Sequence, residues 1–292
     1  ILGFENDELP NSFSVFERHI HPDDEVRVFN HVNQYLTGEI DTYSVEFRMR
    51  KKDGTYAWVL AKGAALFDAE GKPYRMTGSH SDITVQKESE IRLQHRQVVL
   101  ERHTKILTRL STTPLSQYGS FDAALRAITE AAAEGLDSNV VSIWDCTTTG
   151  DGVVCRDMFT AGAETRHSAG TVLQYADFPI YFRAILAGQH IIAPDITTHE
   201  HTLEFTQGYF QHDAIRSMLD IPIRINGEVS GILCCESSDT IRSWNEDDVI
   251  FARSIADIVT LTRESNNTKR AEESAQYKSK LLAAITETTQ GL

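Results

Sequence analysis

The chain has 292 residues, 41% hydrophobic and 24% charged, the balance of a globular protein with room for about two domains of roughly 100 to 200 residues each. A net charge of −14 argues against sequence-independent binding to nucleic acid or to anionic lipid, since both attract basic surface. No apolar run reaches the roughly 18 residues of a membrane span, and no basic stretch followed by an apolar core marks a secretory signal. The expectation is a cytoplasmic protein, with a membrane segment ahead of Ile1 left open.

In "HIHPDDEVRVFNHVNQYL", Pro22 suits the first position of a helix, and Asp23 and Asp24 complement its positive N-terminus. Val28, Val32, Tyr35 and Leu36 give it a buried stripe, and Gly38 ends it. Val45, Phe47 and Met49 then alternate with Glu46, Arg48 and Arg50, the period of a strand with one buried face. Asp53-Gly54 predicts a type I′ hairpin into a return strand over residues 56–67, and a further turn at residues 68–71 leads to a third strand over 73–82. The stretch reads as an antiparallel meander.

Residues 85–110 contain no glycine or proline. Leu93, Leu100 and Leu107 are spaced by sevens beside Val99 and Ile106, whereas Gln97 and Thr104 interrupt a second apolar line. That pattern fits a connecting helix able to pair weakly with a copy of itself, or one packed on its own domain. His103 is read as an exposed residue of this connector.

Further on, Ser120 is placed to cap a helix with Phe121, Leu125, Ile128 and Ala132 on one face, and Gly135 is placed at its end. "NVVSIWDC" and "GVVCRDMFT" read as paired strands, "FPIYFRAILAG" as a short helix and "QHIIAPD" as another strand. "IRSMLDIPIRINGEVSGILCCES" is a second hairpin, turned at Asn226-Gly227. Asn245 caps a helix with an acidic first turn and a core stripe of Phe251, Ile255, Ile258 and Val259; its helical character runs on through "RESNNTKRAEESAQYKSKLLAAI".

The stretches "LGFENDELPNSFSVFERHIHPDD", "EFRMRKKDGTYAWV" and "GKPYRMTGSHSDIT" resemble the second half of a PAS domain with its C-terminal PAC segment, over residues 1 to about 86. "FPIYFRAILAGQHIIAPD", "SMLDIPIRINGEVSGILCCES" and "RSWNEDDVIFARSIAD" resemble a GAF domain over residues 111–264. The resemblance implies an α+β chain: a truncated PAS fold (residues 1–86), a helical connector (87–110), a GAF fold (111–264), and a second connector leading toward another PAS domain (265–292). In the PAS family these strands are three of a five-stranded sheet. Such an arrangement resembles the sensory part of a bacterial signalling protein, above all a sensor histidine kinase, with a diguanylate cyclase or a ligand-free dimerising scaffold as alternatives.

No catalytic centre is legible within the 292 residues. Glu287 stands where the tail would place a phosphoacceptor histidine, and His103 lacks the acid that would follow one. Phosphate-binding Gly-rich loops, a nucleophile elbow, GGDEF and EAL are absent from the sequence. "HEH" at 199–201 sits in a polar surface setting that disfavours a metal. His19, His21 and His31 are the histidines a haem-binding PAS domain would recruit, with His21 better suited to start the helix. A flavin adduct lacks its cysteine before Cys146, a covalent bilin lacks a Cys-His pair, and the cyclic-nucleotide motif of GAF domains is missing. The four cysteines, Cys146, Cys155, Cys234 and Cys235, form no C-x-x-C pair and read as small buried side chains of a reduced protein. Tyr181, Phe182, Met218 and Cys234 are the candidates to line a GAF cavity for a small ligand, unless they serve only as core. A homodimer through the helices and an effector domain further along the chain are the implied partners.

Overall fold

A computed structural model describes all residues except 6, 7, 9, 11, 163–165, 208–214, 239 and 291–292, without the side chains of 13, 206, 207 and 281–290. The chain divides into two compact units, Ile1–Gln97 and Val98–Leu292.

The first unit begins with α1 (Phe13–His19) and α2 (Pro22–Leu36). His21 is the N-cap of α2, its Nδ1 accepting the Asp23 N–H at 3.2 Å. Strands β1 (Tyr43–Arg50), β2 (Tyr56–Phe67) and β3 (Pro73–Asp82) form an antiparallel sheet in sequence order. Val45, Phe47 and Met49 of β1 pack with Val59 of β2 and Val28 of α2, as the alternation requires. The first turn departs from expectation: only Gly54 takes a positive φ, at 87°. Asp53 keeps a negative φ and instead accepts the Thr55 N–H (2.9 Å) and hydroxyl (2.6 Å), closing a five-residue loop. Strand β3 is exposed at all ten positions.

Asp24 ties α2 to β1. Its carboxylate accepts the backbone N–H and the Nε of Arg48, both at 2.9 Å, and an Nη of Arg27 at 3.3 Å. Burial opposes its ionisation, but the Arg48 side chain and backbone outweigh that and hold its pKa at about 2. A lowered folded-state pKa adds stability above the unfolded value of 3.8 that is lost as pH falls through about 2. Asp24→Asn is therefore expected to cost about 1 to 2 kcal/mol at pH 7, discounted because the arginines face water in part. Urea unfolding at pH 7 and near pH 3 should find the deficit shrinking at the lower pH; an equal deficit at both would contradict the linkage.

Helix α3 (Thr84–Thr112) follows β3 directly, the Asp82 carboxylate accepting the Thr84 N–H at 2.9 Å. After it come α4 (Leu115–Tyr118), α5 (Phe121–Leu136), β4 (Val140–Cys146), β5 (Gly152–Thr160), β6 (Arg166–Ser168) and β7 (Val172–Gln174). Then follow α6 (Pro179–Leu186), β8 (Ile191–Ala193), a short 3₁₀ turn (Leu203–Gln207), β9 (Ser217–Ile225), β10 (Glu228–Ser237) and α7 (Glu246–Gln290). The sheet has the antiparallel order β6-β5-β4-β10-β9-β8, with β7 also on β5. Asn226 and Gly227 have φ of 51° and 86°, the type I′ turn expected of that pair.

One face of this sheet carries α5 and α7, with Leu125, Ile128, Ile143, Leu219, Leu233, Phe251 and Ile255 at its core. Ser120 caps α5 by accepting the Ala123 N–H, and Asn245 and Asp248 exchange reciprocal bonds at the start of α7. Gly135 does not end α5; the helix runs one residue further and closes on Asp137 at φ 51°. A Cβ at Gly135 would collide with the Phe251 ring, so the glycine provides close approach of two helices. The histidine read as exposed is also corrected: His103 is 4% exposed, donates Nε2–H to the Gly135 carbonyl at 3.1 Å, and stacks on Phe251. With Ile106 and Leu110 it makes the second half of α3 part of this core.

Ile91, Leu93, Val98 and Leu100 remain exposed on α3. No described side chain of α7 beyond Arg263 is buried. Residues 285–290, read as the approach to a further module, lie on α7; the side chain of Glu287 and residues 291–292 lie outside the described residues. Among the described residues, no helix is long and apolar enough to cross a membrane.

Candidate functional site

The opposite face of the second sheet is covered by α6 and the chain around the 3₁₀ turn, and encloses a cavity of about 20 Å³, room for about one water. Strand alternation determines what enters it. Met218 and Asp220 project from β9, Ile232, Cys234 and Glu236 from β10, Trp144 from β4, and Val153 from β5. Asp220 and Cys234 are cross-strand partners, and Cys234 in turn pairs with Ser142 of β4, which accepts the Trp144 indole N–H at 2.8 Å. Cys235 points to the other face, into the core beneath α5 and α7.

Helix α6 supplies Tyr181 and Phe182. Pro179 starts it, and the backbone N–H groups of Ile180 and Tyr181 both donate to one Glu204 oxygen, at 2.9 and 3.1 Å. Phe205 stacks on Phe178 with centroids 4.3 Å apart and meets Tyr181 edge-on at 4.8 Å. These contacts hold Tyr181 over Asp220, to which its hydroxyl donates a 2.5 Å hydrogen bond.

Asp220 has no solvent exposure, and its Oδ1 has no hydrogen-bond partner among the described residues. Burial raises its pKa to about 7, against lowering by the Tyr181 hydroxyl and the Cys234 thiol. Burial, with the nearby carboxyl second, pushes Tyr181 and Cys234 well above their ordinary values, so both stay protonated at neutral pH. Among the described residues, no Lys, Arg or His lines the cavity.

Tyr181, Phe182, Met218 and Cys234, the four sequence candidates, thus lie together on this cavity. Sequence reasoning missed Asp220, Glu236, Trp144 and Phe205. The signal for the two acids was available: Met218/Asp220 and Cys234/Glu236 are i, i+2 pairs on strands, so each acid shares the face of a candidate. The three histidines considered for haem make separate local contacts. His19 Nδ1 contacts the Val15 carbonyl at 2.6 Å, His21 caps α2, and His31 lies beside Tyr43. His199 and His201 lie outside helices and strands with ring centroids 5.5 Å apart, and no group of three metal-ligating side chains forms among the described residues. All four cysteines are free, and all but the half-buried Cys146 are buried.

Comparison with known proteins gives two matches to family profiles: the PAS fold over residues 1–80, and the GAF domain over residues 120–262. The chain is 30% identical over 74 residues to hybrid signal transduction histidine kinase A of Dictyostelium discoideum; the match spans 24% of this chain and 3% of that protein. Among solved structures, a sensory box histidine kinase/response regulator from Burkholderia thailandensis is 37% identical, covering 35% of this chain and 74% of that one, with a TM-score of 0.32. The GAF domain of a phosphoenolpyruvate-protein phosphotransferase from Coxiella burnetii is 17% identical, covering 59% of this chain and 96% of that one, with a TM-score of 0.45.

Proposed function

As a chain built of a PAS fold (residues 1–80) and a GAF domain (residues 120–262), this protein is a signalling input segment, and we propose that it serves a cytoplasmic sensor histidine kinase of a bacterium. In this reading the GAF cavity takes a small ligand, and a homodimer formed through the exposed parts of α3 and α7 carries the response to an effector domain in the same protein.

One observation supports it above others. α3 leaves the first sheet directly and ends inside the GAF core at His103, Ile106 and Leu110, while α7 starts from the same core and runs on to Gln290. A helix that is both core and connector responds to a change of core packing along its whole length, because packed interiors switch between discrete arrangements and do not deform continuously. A ligand then biases the output by the difference in its affinity for the two packings.

Light scattering on the 292-residue chain is expected to return twice the chain mass, and the double variant Leu93→Glu/Leu100→Glu to return the monomer, because both leucines are exposed on α3. A monomeric parent chain would overturn transmission through paired helices. The output is tested by reading the coding sequence past residue 292 and assaying autophosphorylation with ATP; a GGDEF segment there would replace the kinase with a diguanylate cyclase.

A further inference from the structure

We propose that the GAF cavity binds a small protonated amine, with Asp220 as its counter-ion. The inference rests on the sensory reading of this module and adds the chemical class of what it senses. A fully buried carboxyl with one oxygen satisfied by Tyr181 and the other without a partner among the described residues is costly to fold around unless a donor reaches it. The unpartnered oxygen belongs to a side chain that lines the cavity, so the donor's place is inside it.

Charge selects the donor's sign. Among the described residues two acids, Asp220 and Glu236, line the space and no basic side chain does, so an anion would meet repulsion from them. An ammonium group brings hydrogen-bond donors and the compensating charge together, whereas a water brings only donors. The remaining wall is suited to the same guest: Trp144, Tyr181, Phe182 and Phe205 present aromatic surface, which attracts cations held within about 6 Å of a ring and accommodates the alkyl part of an amine. The cavity volume of about 20 Å³ admits a group the size of one water, which matches an ammonium ion, and methylammonium or longer amines would have to displace side chains around it. Asp220 is paired across to β10, whose other face lies under α5 and α7, so a cation drawn to this carboxylate acts on the sheet on which those two helices pack.

The test is calorimetric titration and thermal shift of the 292-residue chain with ammonium chloride and methylammonium chloride, against sodium chloride at matched ionic strength, sodium acetate and acetamide. Saturable stabilisation by methylammonium or ammonium beyond the sodium chloride control is expected, weakened at least tenfold in Asp220→Asn. Tyr181→Phe, which keeps the carboxylate, should still bind and guards against a failure of Asp220→Asn to fold. Stabilisation by acetamide or acetate and by neither amine would overturn the charge assignment and leave the ligand-binding reading standing. No effect from any of the compounds would overturn the amine proposal and remove this cavity from the sensory reading as well.

Discussion

Asp220→Asn should make the protein more stable at pH 8 by about 2 to 3 kcal/mol and flatten its loss of stability between pH 4 and pH 7. Asp220 has a folded-state pKa of about 7 against 3.8 for a solvent-exposed aspartate, the shift being due to burial. A raised folded-state pKa means that stability is fully present below the unfolded value and is lost as pH rises through the folded one, because the unfolded chain releases the proton first. Three pKa units correspond to about 4 kcal/mol, an upper limit for a site that can relax. Asparagine keeps the shape and an oxygen for the Tyr181 hydroxyl, but its amide N–H groups have no acceptor waiting at the Oδ1 position, which takes back about 1 kcal/mol. Among the described residues, the other titratable groups lining the cavity with Asp220 are Tyr181 on α6 and Cys234 and Glu236 on β10; the first two stay neutral across this range. Urea unfolding of both proteins at pH 5 and pH 8 measures the effect as a difference of differences, which cancels titration elsewhere. Parallel pH profiles would mean that Asp220 is solvated or paired in the folded protein.

Phe251→Ala is expected to cost about 3 to 5 kcal/mol, the range for emptying a buried aromatic site. The ring is 1% exposed and is the point where three helices meet. It projects from α7, lies over the bare Cα of Gly135 on α5, and stacks on His103 of α3 with centroids 4.1 Å apart and planes inclined by 19°. Alanine removes the surface that both neighbours pack on, and His103 loses its stacking partner while its bond to the Gly135 carbonyl persists. Phe251→Leu should recover part of the loss by refilling volume without the flat face. Denaturant unfolding gives both values, and amide exchange at the end of α3 should accelerate in Phe251→Ala. A cost below about 1 kcal/mol, or unchanged exchange in α3, would show that the helices are not pinned at this ring.

Features governed by neighbours within a few residues were mostly legible in the amino-acid order. Period-two alternation placed Val45, Phe47 and Met49 inward; Asn226-Gly227 made its turn because both residues tolerate positive φ; Ser120 and Asn245 capped their helices through N–H groups three residues on. Even here local rules failed at Asp53-Gly54, where the Asp53 carboxylate gained two bonds to Thr55 and the loop took five residues instead of two, and at Gly135, which lies inside α5. Burial of polar groups was decided by tertiary structure alone. His103 is a core residue because a carbonyl 32 positions later accepts its proton and Phe251 covers its face. Asp220 is enclosed because Tyr181, 39 positions earlier, reaches it from a helix held down by Glu204. Position in the chain leaves a histidine or an aspartate polar and free to face water; only the packing of distant elements removes that water, and with it the cost of burial becomes the property on which a binding site can act.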